Sequence, residues 1–279
     1  MKILTDSLTD SAQPSWRRTV AEIRAVASRG GRERLGLCSL EGTRLFERAL
    51  RAGTRIERAL VERTFLLTSS PRIVALRAEL ATHGCRLTTI PTEEMEALTE
   101  GRSLGGIVGL ARLPHKATLQ EVLADAASRP TRLLVCAGFN DPGNLGAVAR
   151  TAHGAGASAL VCAGATGAFH PKAIRTSMGS LLRIPVLEYE TLKTLVEELG
   201  EAEIRTVGAV TRGGTPLSRL GGRDRPMAVV FGSEAFGLSA EECPLLDELV
   251  TIPMAEGVDS FSVNAAAAMF LYELQRPIP

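Results

Sequence analysis

The sequence lacks several features that would place a protein in a common class. Its 279 residues contain no apolar run near the roughly 18 residues that suggest a membrane-spanning helix. The N-terminal stretch has no long apolar segment, so we expect no signal peptide and a cytoplasmic protein. The four histidines form no HxxxH or HExxH pair, and no metal is predicted.

Cysteine is sparse, and its spacing argues against a structural role. The five cysteines are widely spread and form no CxxC pair: Cys38, Cys85, Cys136, Cys162 and Cys243. An odd number without metal-ligand spacing excludes an obvious disulfide framework or zinc site. We expect small buried side chains in a reducing compartment.

Common nucleotide and hydrolase motifs are also missing. The chain has no GxxxxGK[ST] loop and no GxSxG elbow. The segment "GAGASA" (154–159) matches GxGxxA, but it follows a predicted helix and precedes a predicted strand. A dinucleotide site needs the opposite order, so that a helix N-terminus meets the pyrophosphate. We interpret Gly154 and Gly156 as a helix stop and a turn.

The charge is nearly balanced overall but unevenly distributed. Residues 1–115 hold 18 Lys+Arg and 13 Asp+Glu, whereas residues 116–279 hold 14 and 18. Twelve arginines lie between Arg17 and Arg63. A basic N-terminal part favours contact with an anionic partner such as RNA, although solvated helix faces would give the same pattern.

Periodicity predicts an α/β protein with two domains. A smaller N-terminal α/β domain spans 16–115, with helices predicted at 17–29, 40–53 and 71–84 and a buried strand at 105–113. Residues 116–130 form a predicted linker. From 131 to 279, apolar strands alternate with helices, including one after Leu238 and one at the C-terminus. This alternation predicts a mostly parallel sheet covered by helices on both faces.

Three segments follow predicted strand ends, where such sheets bind ligands. They are "NDPGNLGAVARTA" (140–152), "FGSEAFGLS" (231–239) and "IPMAEGVDSFSVNAAAA" (252–268). Each alone has a structural explanation as a turn, a cap or a strand end. Together, in this order, they resemble the signature motifs of the SpoU/TrmH family of RNA ribose 2′-O-methyltransferases, in the SPOUT superfamily. The resemblance covers about 131–279 and includes 172–186; residues 16–115 look like that family's RNA substrate-binding domain.

The resemblance implies a trefoil-knotted sheet, a homodimer whose active sites are completed across the interface, and S-adenosylmethionine as cofactor. By motif position, three loops would hold the cofactor, with the end of the preceding strand as a weaker candidate. The implied cofactor-binding residues are Val210, Thr211, Gly232, Ser233, Glu234, Ile252, Met254, Ser260 and Phe261.

The motif-one arginine, Arg150, is the residue to which the family assigns catalysis. Helical spacing places Leu145, Val148, Ala149 and Ala152 on one apolar stripe, and Arg150 lies off it. A guanidinium rarely loses its proton, so we favour electrostatic stabilisation of the developing alkoxide over a general-base role.

The other candidate catalytic residues are Asn144, Glu234, Ser262 and Asn264. Asn144 is expected to cap the helix, and Glu234 to fix the knot by hydrogen bonds or to touch the arginine.

Motif three departs from the family pattern. The usual Ser-Leu-Asn-Val-Ser reads "SFSVN" here, so Ser262 replaces Asn and Asn264 replaces Ser, and Glu256 occupies the usual glycine position. The exchange either preserves one hydrogen-bond network with the two roles swapped, or alters or abolishes activity.

The function expected from these observations is methyl transfer to a ribose 2′-hydroxyl of structured RNA, with 23S rRNA favoured because of the added N-terminal domain. The alternatives are a tRNA 2′-O-methyltransferase and a non-catalytic RNA-binding or ribosome-assembly protein. A knotted base methyltransferase is disfavoured, because Arg150 and the Asp-Pro-x-Asn turn are ribose-type features.

Overall fold

The computed structural model describes residues 15–102, 104–125, 130–165, 167–222 and 224–275. Residues 1–14, on which the signal-peptide expectation rests, and residues 126–129 of the predicted linker lie outside the described residues. The chain forms two compact units. Unit 1 comprises Met1–Thr43 and Arg55–Arg112, and unit 2 comprises Arg44–Thr54 and Leu113–Pro279.

Unit 1 is a small α/β unit built on a four-stranded mixed sheet of order β1-β4-β2-β3. Strand β3, at one edge of the sheet, runs parallel to its neighbour β2, and β4 runs antiparallel to both β1 and β2. Its elements are α1 Ser15–Ala25, α2 Arg29–Leu35, β1 Leu37–Glu41, β2 Ile56–Val61, α4 Arg63–Leu67, α5 Pro71–Thr82, β3 Arg86–Thr89, α6 Thr92–Thr99 and β4 Ile107–Arg112.

Two predicted helix boundaries in this region are wrong. The helix expected at 17–29 ends at Ala25, and a second helix then begins after Ser28, whose hydroxyl caps it by accepting from the Gly31 amide. The helix expected at 40–53 begins only at Thr43, because residues 40 and 41 belong to strand β1. Gly42, at φ +87°, makes the turn between strand and helix.

Helix α3, Thr43–Arg51, lies in sequence within the predicted N-terminal domain but packs with unit 2. Its apolar side is buried, with Phe46 and Ala49 fully covered. The Arg48 guanidinium donates a hydrogen bond to the Met178 carbonyl. The chain therefore enters unit 2 once before the main domain boundary.

Unit 2 is built on a seven-stranded parallel sheet of order β7-β6-β5-β10-β8-β11-β9. The apolar strands Ala159–Ala163 and Met227–Phe231 are buried at every position, so both faces of the sheet are covered there, as predicted. The elements are α7 Leu119–Asp125, β5 Arg132–Ala137, α8 Pro142–Gly154, β6 Ala159–Ala163, α9 Pro171–Thr176, β7 Val186–Tyr189, α10 Leu192–Glu201, β8 Arg205–Val210, β9 Thr215–Pro216, β10 Met227–Phe231, β11 Glu248–Thr251 and α11 Val263–Gln275.

Part of the predicted linker is packed structure. Leu119 and Val122 of α7 are buried in the core cluster of unit 2. The predicted helix after Leu238 is wrong, since only a 3-10 turn, Cys243–Leu245, forms there. Ser239 and Glu242 make reciprocal cap hydrogen bonds that would start a helix, but Pro244 follows at once and cannot donate to a continuing helical ladder.

The strand order decides where the motifs meet. Strand β10 lies between β5 and β8, and β11 lies beside β8. The carboxyl ends of these four parallel neighbours therefore share one edge of the sheet. Each of the three motifs follows one of these ends, which places residues from distant parts of the sequence side by side. Within the described residues, no helix has the length and apolar character to cross a membrane.

Candidate active site

The loops after β5, β8, β10 and β11 line one cavity of about 620 Å³ at the carboxyl edge of the unit 2 sheet. Apolar walls come from side chains such as Phe231 and Phe270, whose rings meet edge to face at 5.5 Å. Every residue implied by resemblance as cofactor-binding lines this cavity: Val210, Thr211, Gly232, Ser233, Glu234, Ile252, Met254, Ser260 and Phe261.

The motif-two turn folds back tightly on itself. A Cβ atom on Gly232 would lie 2.1 Å from the Gly237 carbonyl carbon, so only glycine fits there. The Gly237 amide donates to the Ser233 carbonyl at 2.8 Å, and the Ser233 hydroxyl accepts from the Phe236 amide at 3.4 Å. The turn from Ser233 to Gly237 is thereby fixed in shape by its own backbone.

Glu234 ties motif two to motif one. Its carboxylate accepts hydrogen bonds from the backbone amides of Asn140 and Asp141, each at 3.2 Å, and from the Asn144 side-chain amide at 3.3 Å. Of the two roles expected for Glu234, hydrogen bonding within the loop cluster is the one observed in the described contacts. The carboxylate lies beside the N-terminus of α8, where the helix dipole favours negative charge.

Asp141, and not Asn144, caps helix α8, so the predicted capping role of Asn144 is wrong. The Asp141 carboxylate accepts from the Gly143 amide at 2.8 Å, and Pro142 takes the first helical position. Lys172 donates to the same carboxylate at 2.7 Å. These two hydrogen bonds, the lysine first, hold the pKa of Asp141 below its ordinary value.

The phase predicted for α8 is confirmed. Leu145, Val148, Ala149 and Ala152 are fully buried, whereas Arg150 is exposed. Gly146 permits close packing on α9, since a Cβ there would lie 2.0 Å from the Thr176 hydroxyl. Arg150 lies outside the cavity lining, and its side chain makes no hydrogen bond or ion pair with the described part of the chain. Its guanidinium is therefore available to a ligand or another surface.

The exchanged pair of motif three faces two different partners. The Ser262 hydroxyl accepts from the Ala265 amide at 3.3 Å at the start of α11, and Ser262 lines the cavity. The Asn264 side-chain oxygen accepts from the Thr151 hydroxyl at 2.7 Å. Motif three therefore contacts α8 at the residue next to Arg150.

Three residues at this site were not singled out by the sequence. A fourth, Asp141, was recognised as part of the helix start but not as its cap, although Asp before Pro is a typical N-cap pattern. Lys172, Thr151 and Phe236 gave no local signal, since their roles come from contacts across the fold. Phe236 lines the cavity with 91% of its surface exposed.

Several of the N-terminal arginines form hydrogen bonds or ion pairs within the protein. Arg32 is 4% exposed and donates to the carbonyls of Val26 and Ala27. Arg18, Arg24, Arg29, Arg51, Arg55 and Arg58 form ion pairs with glutamates. Arg34, Arg44 and Arg63 are exposed and show no such partner among the described residues.

Comparison with known proteins identifies the family of the part of the chain that carries this cavity. The SpoU rRNA Methylase family matches residues 131–272. The 23S rRNA (guanosine-2′-O-)-methyltransferase RlmB of Bordetella pertussis is 32% identical over 195 residues, which is 69% of this chain and 79% of that protein.

Two solved structures share the fold. A crystal structure of an RNA 2′-O ribose methyltransferase superposes with a TM-score of 0.72 at 29% identity, over 91% of this chain and 94% of that one. The AdoMet-bound rRNA methyltransferase from Sinorhizobium meliloti gives a TM-score of 0.76 at 23% identity, over 92% and 93%.

The fold and the cavity together define an RNA methyltransferase with a SPOUT-type parallel sheet. The chain belongs to the SpoU rRNA methylase family. The family, the α/β fold class and the enzyme class predicted from the three motifs are thereby confirmed. The predicted cofactor, S-adenosylmethionine, is the one bound in the Sinorhizobium structure. The trefoil knot and the roles of individual residues stay predictions.

Proposed function

We propose that this protein transfers a methyl group from S-adenosylmethionine to a ribose 2′-hydroxyl of ribosomal RNA. The observation that carries the proposal is the single cavity at the carboxyl ends of adjacent parallel strands, lined by motif residues from all three segments. Glu234 connects two of these motifs directly.

The cavity suits S-adenosylmethionine in size and chemistry. Its volume of about 620 Å³ falls within the range of roughly 300–1,000 Å³ typical of small-molecule sites. Apolar side chains can cover the adenine, and backbone groups at Gly232, Ile252 and Met254 can hydrogen-bond its edge. When bound, S-adenosylmethionine would supply an electrophilic methyl group on its sulfonium. The ribose oxygen would form the new bond to that methyl as the methyl–sulfur bond breaks, which would release S-adenosylhomocysteine, and the hydroxyl proton would pass to solvent.

Arg150 stabilises the negative charge that develops on the ribose oxygen. The guanidinium stays charged at neutral pH and presents several donors in a plane, which suits an alkoxide or an adjoining phosphate. Support comes from its exposure on a helix whose other side is buried. Because Arg150 lies outside the cavity lining, the RNA or a second protein copy completes the active site around it.

Asn264 and Ser262 keep the roles of their motif with the order exchanged. Asn264 holds Thr151, and thereby the turn of α8 that carries Arg150. Ser262 caps α11 and lines the cavity with its hydroxyl. Asn144 is a positioning residue held by Glu234.

Ribosomal RNA is the substrate class that best fits the chain. The Bordetella relative is named as a 23S rRNA guanosine 2′-O-methyltransferase, and it matches 69% of this chain. Unit 1 binds the RNA, with Arg34 and Arg63 as phosphate contacts because they are exposed and unpaired in the described residues. The protein acts as a homodimer in the cytoplasm.

The test uses purified protein, labelled S-adenosylmethionine and separate pools of deproteinised 23S rRNA, 16S rRNA and tRNA. We expect label in 23S rRNA as a nucleoside methylated on its ribose, and loss of that label in Arg150→Ala. Arg219→Ala, which removes another exposed arginine of unit 2, is the matched control. Label in tRNA alone would make tRNA, and not rRNA, the substrate. Label on a base or on protein would exclude methylation of the ribose. Absence of label together with no binding of S-adenosylhomocysteine by calorimetry would indicate a non-catalytic protein.

A further inference from the structure

At the cavity that the three motifs line, the aromatic ring of Phe236 is exposed to solvent. Phe236 is 91% exposed, the largest exposure among the large hydrophobic residues recorded for the described chain. It is one of only eight phenylalanines, and it lies in the turn that carries Glu234. Leaving such a side chain in water forgoes the hydrophobic stabilisation of burial, so its position suggests a partner that covers it.

The turn fixes the backbone that carries this ring without burying the side chain. Gly232 lets Gly237 approach within van der Waals contact, and Ser233 receives the amides of both Phe236 and Gly237. The neighbouring Ala235 is small, and a Cβ on Gly237 would meet nothing within 4 Å. The ring is thereby presented from a fixed backbone with open space beside it, so that binding a flat ligand need not order the backbone of the turn.

The cavity has other apolar walls that can serve the cofactor. Phe231 is 4% exposed and Phe270 1% exposed, and both face the cavity from inside the fold. Phe236 differs because almost all of its surface faces solvent. A ligand arriving from solution can cover that surface, whereas one held within the cavity meets only its inner side.

We propose that Phe236 is a substrate-binding residue whose ring stacks on an unpaired base of the RNA, at or beside the methylated nucleotide. This inference rests on the proposed function, because it takes the cavity as the methyl-transfer site. A ribose brought to the cavity must leave its regular helical setting, and its base then loses stacking partners. Aromatic side chains are the usual replacement for such lost stacking in RNA recognition.

The test compares Phe236→Ala, Phe236→Tyr and Phe236→Leu in the full-length protein. We expect Phe236→Ala to raise the KM for deproteinised 23S rRNA by about tenfold, the effect typical of one lost base–aromatic stack. Phe236→Tyr keeps the ring and retains the wild-type KM. Phe236→Leu keeps apolar bulk without a π face, and it behaves like the alanine variant. Tyr272→Ala, which removes a ring 70% exposed outside the cavity, leaves the KM unchanged.

Further measurements test whether the Phe236 ring contacts the cofactor or a second protein copy instead of RNA. Calorimetry with S-adenosylhomocysteine should give the same affinity for wild type and Phe236→Ala, and light scattering the same mass. An unchanged RNA KM in Phe236→Ala, a loss confined to cofactor affinity, or a change of oligomeric state would each overturn the proposal. If the wild type methylates no RNA, the proposed function fails on its own. Filter binding of labelled 23S rRNA to wild type and Phe236→Ala then still decides whether the ring contacts RNA.

Discussion

One carboxylate, that of Glu234, joins parts of the chain that are 90 to 94 positions apart in sequence. Its three donors all belong to the segment that starts helix α8, and two of them are backbone amides. A carboxylate is the natural acceptor there, because amides at a helix start carry partial positive charge. At the scale of single residues, the geometry of motif one therefore depends on a side chain from motif two.

Replacing Glu234 by Gln should loosen this connection. The amide keeps the size of the side chain but presents an NH₂ group to donors, so at least one hydrogen bond is lost. We expect the affinity for S-adenosylhomocysteine to fall by about tenfold, measured by calorimetry, and the thermal midpoint of unfolding to fall as well. Glu241→Gln, an exposed carboxylate in the next turn, is the control. If Glu234→Gln and Glu241→Gln have the same cofactor affinity and the same thermal midpoint, this role of Glu234 is contradicted.

Asp141 should give α8 a measurable dependence on pH. Because Lys172 and the Gly143 amide lower its pKa below the ordinary 3.8, the ionised carboxylate favours the folded state. That contribution is present above the unfolded pKa and is lost as the pH falls through the lower folded value. Asp141→Asn keeps a good N-cap residue but removes the charge.

Urea unfolding of wild type and Asp141→Asn should therefore differ at pH 7, with the wild type more stable. The difference should shrink as the pH is lowered below about 4, through the depressed folded-state pKa of Asp141. Asp125→Asn, which changes an exposed carboxylate of α7, serves as control and should show no such trend. If the difference in stability between wild type and Asp141→Asn stays the same in acid, the charge of Asp141 does not contribute to it.

At the scale of elements, α8 shows what periodicity can and cannot predict. The buried stripe and the exposed Arg150 followed from helical spacing alone. The identity of the cap was missed because Asn144 lies near the helix start, although the Asp-Pro pair fits the cap better. The missing helix after Leu238 shows the same limit, since Pro244 stops a segment that begins with the cap hydrogen bonds of a helix.

Two glycines of α8 make a matched pair for testing its packing. A Cβ on Gly146 would lie 2.0 Å from the Thr176 hydroxyl and 2.3 Å from the Ala173 carbonyl oxygen, whereas one on Gly154 meets nothing within 4 Å. We expect Gly146→Ala to lower the free energy of unfolding by about 1–3 kcal/mol through overpacking. Gly154→Ala should be neutral or slightly stabilising. Denaturant unfolding of both variants measures the difference in their free energies of unfolding. Equal free energies of unfolding would contradict the close packing of α8 on α9 at Gly146.

At the scale of the whole molecule, local patterns predicted the parallel sheet but not its strand order. Neighbours such as β5 and β10 are far apart in sequence, and no local signal shows that β10 lies between β5 and β8. The family resemblance supplied that missing long-range information, because its motifs imply loops that meet. The packing of helix α3 in unit 2 escaped prediction for the same reason, since it depends on residues such as Met178, far along the chain.

The central claim is ribose 2′-O-methylation of ribosomal RNA at the Arg150 site. The most direct measurement maps 2′-O-methyl groups across rRNA from a strain lacking this protein, and from the same strain carrying the wild type or Arg150→Ala. We predict that one or a few ribose methyl groups in 23S rRNA disappear in the deletion, return with the wild type and stay absent with Arg150→Ala. An unchanged rRNA methylation map in the deletion strain, or full restoration by Arg150→Ala, would contradict the claim.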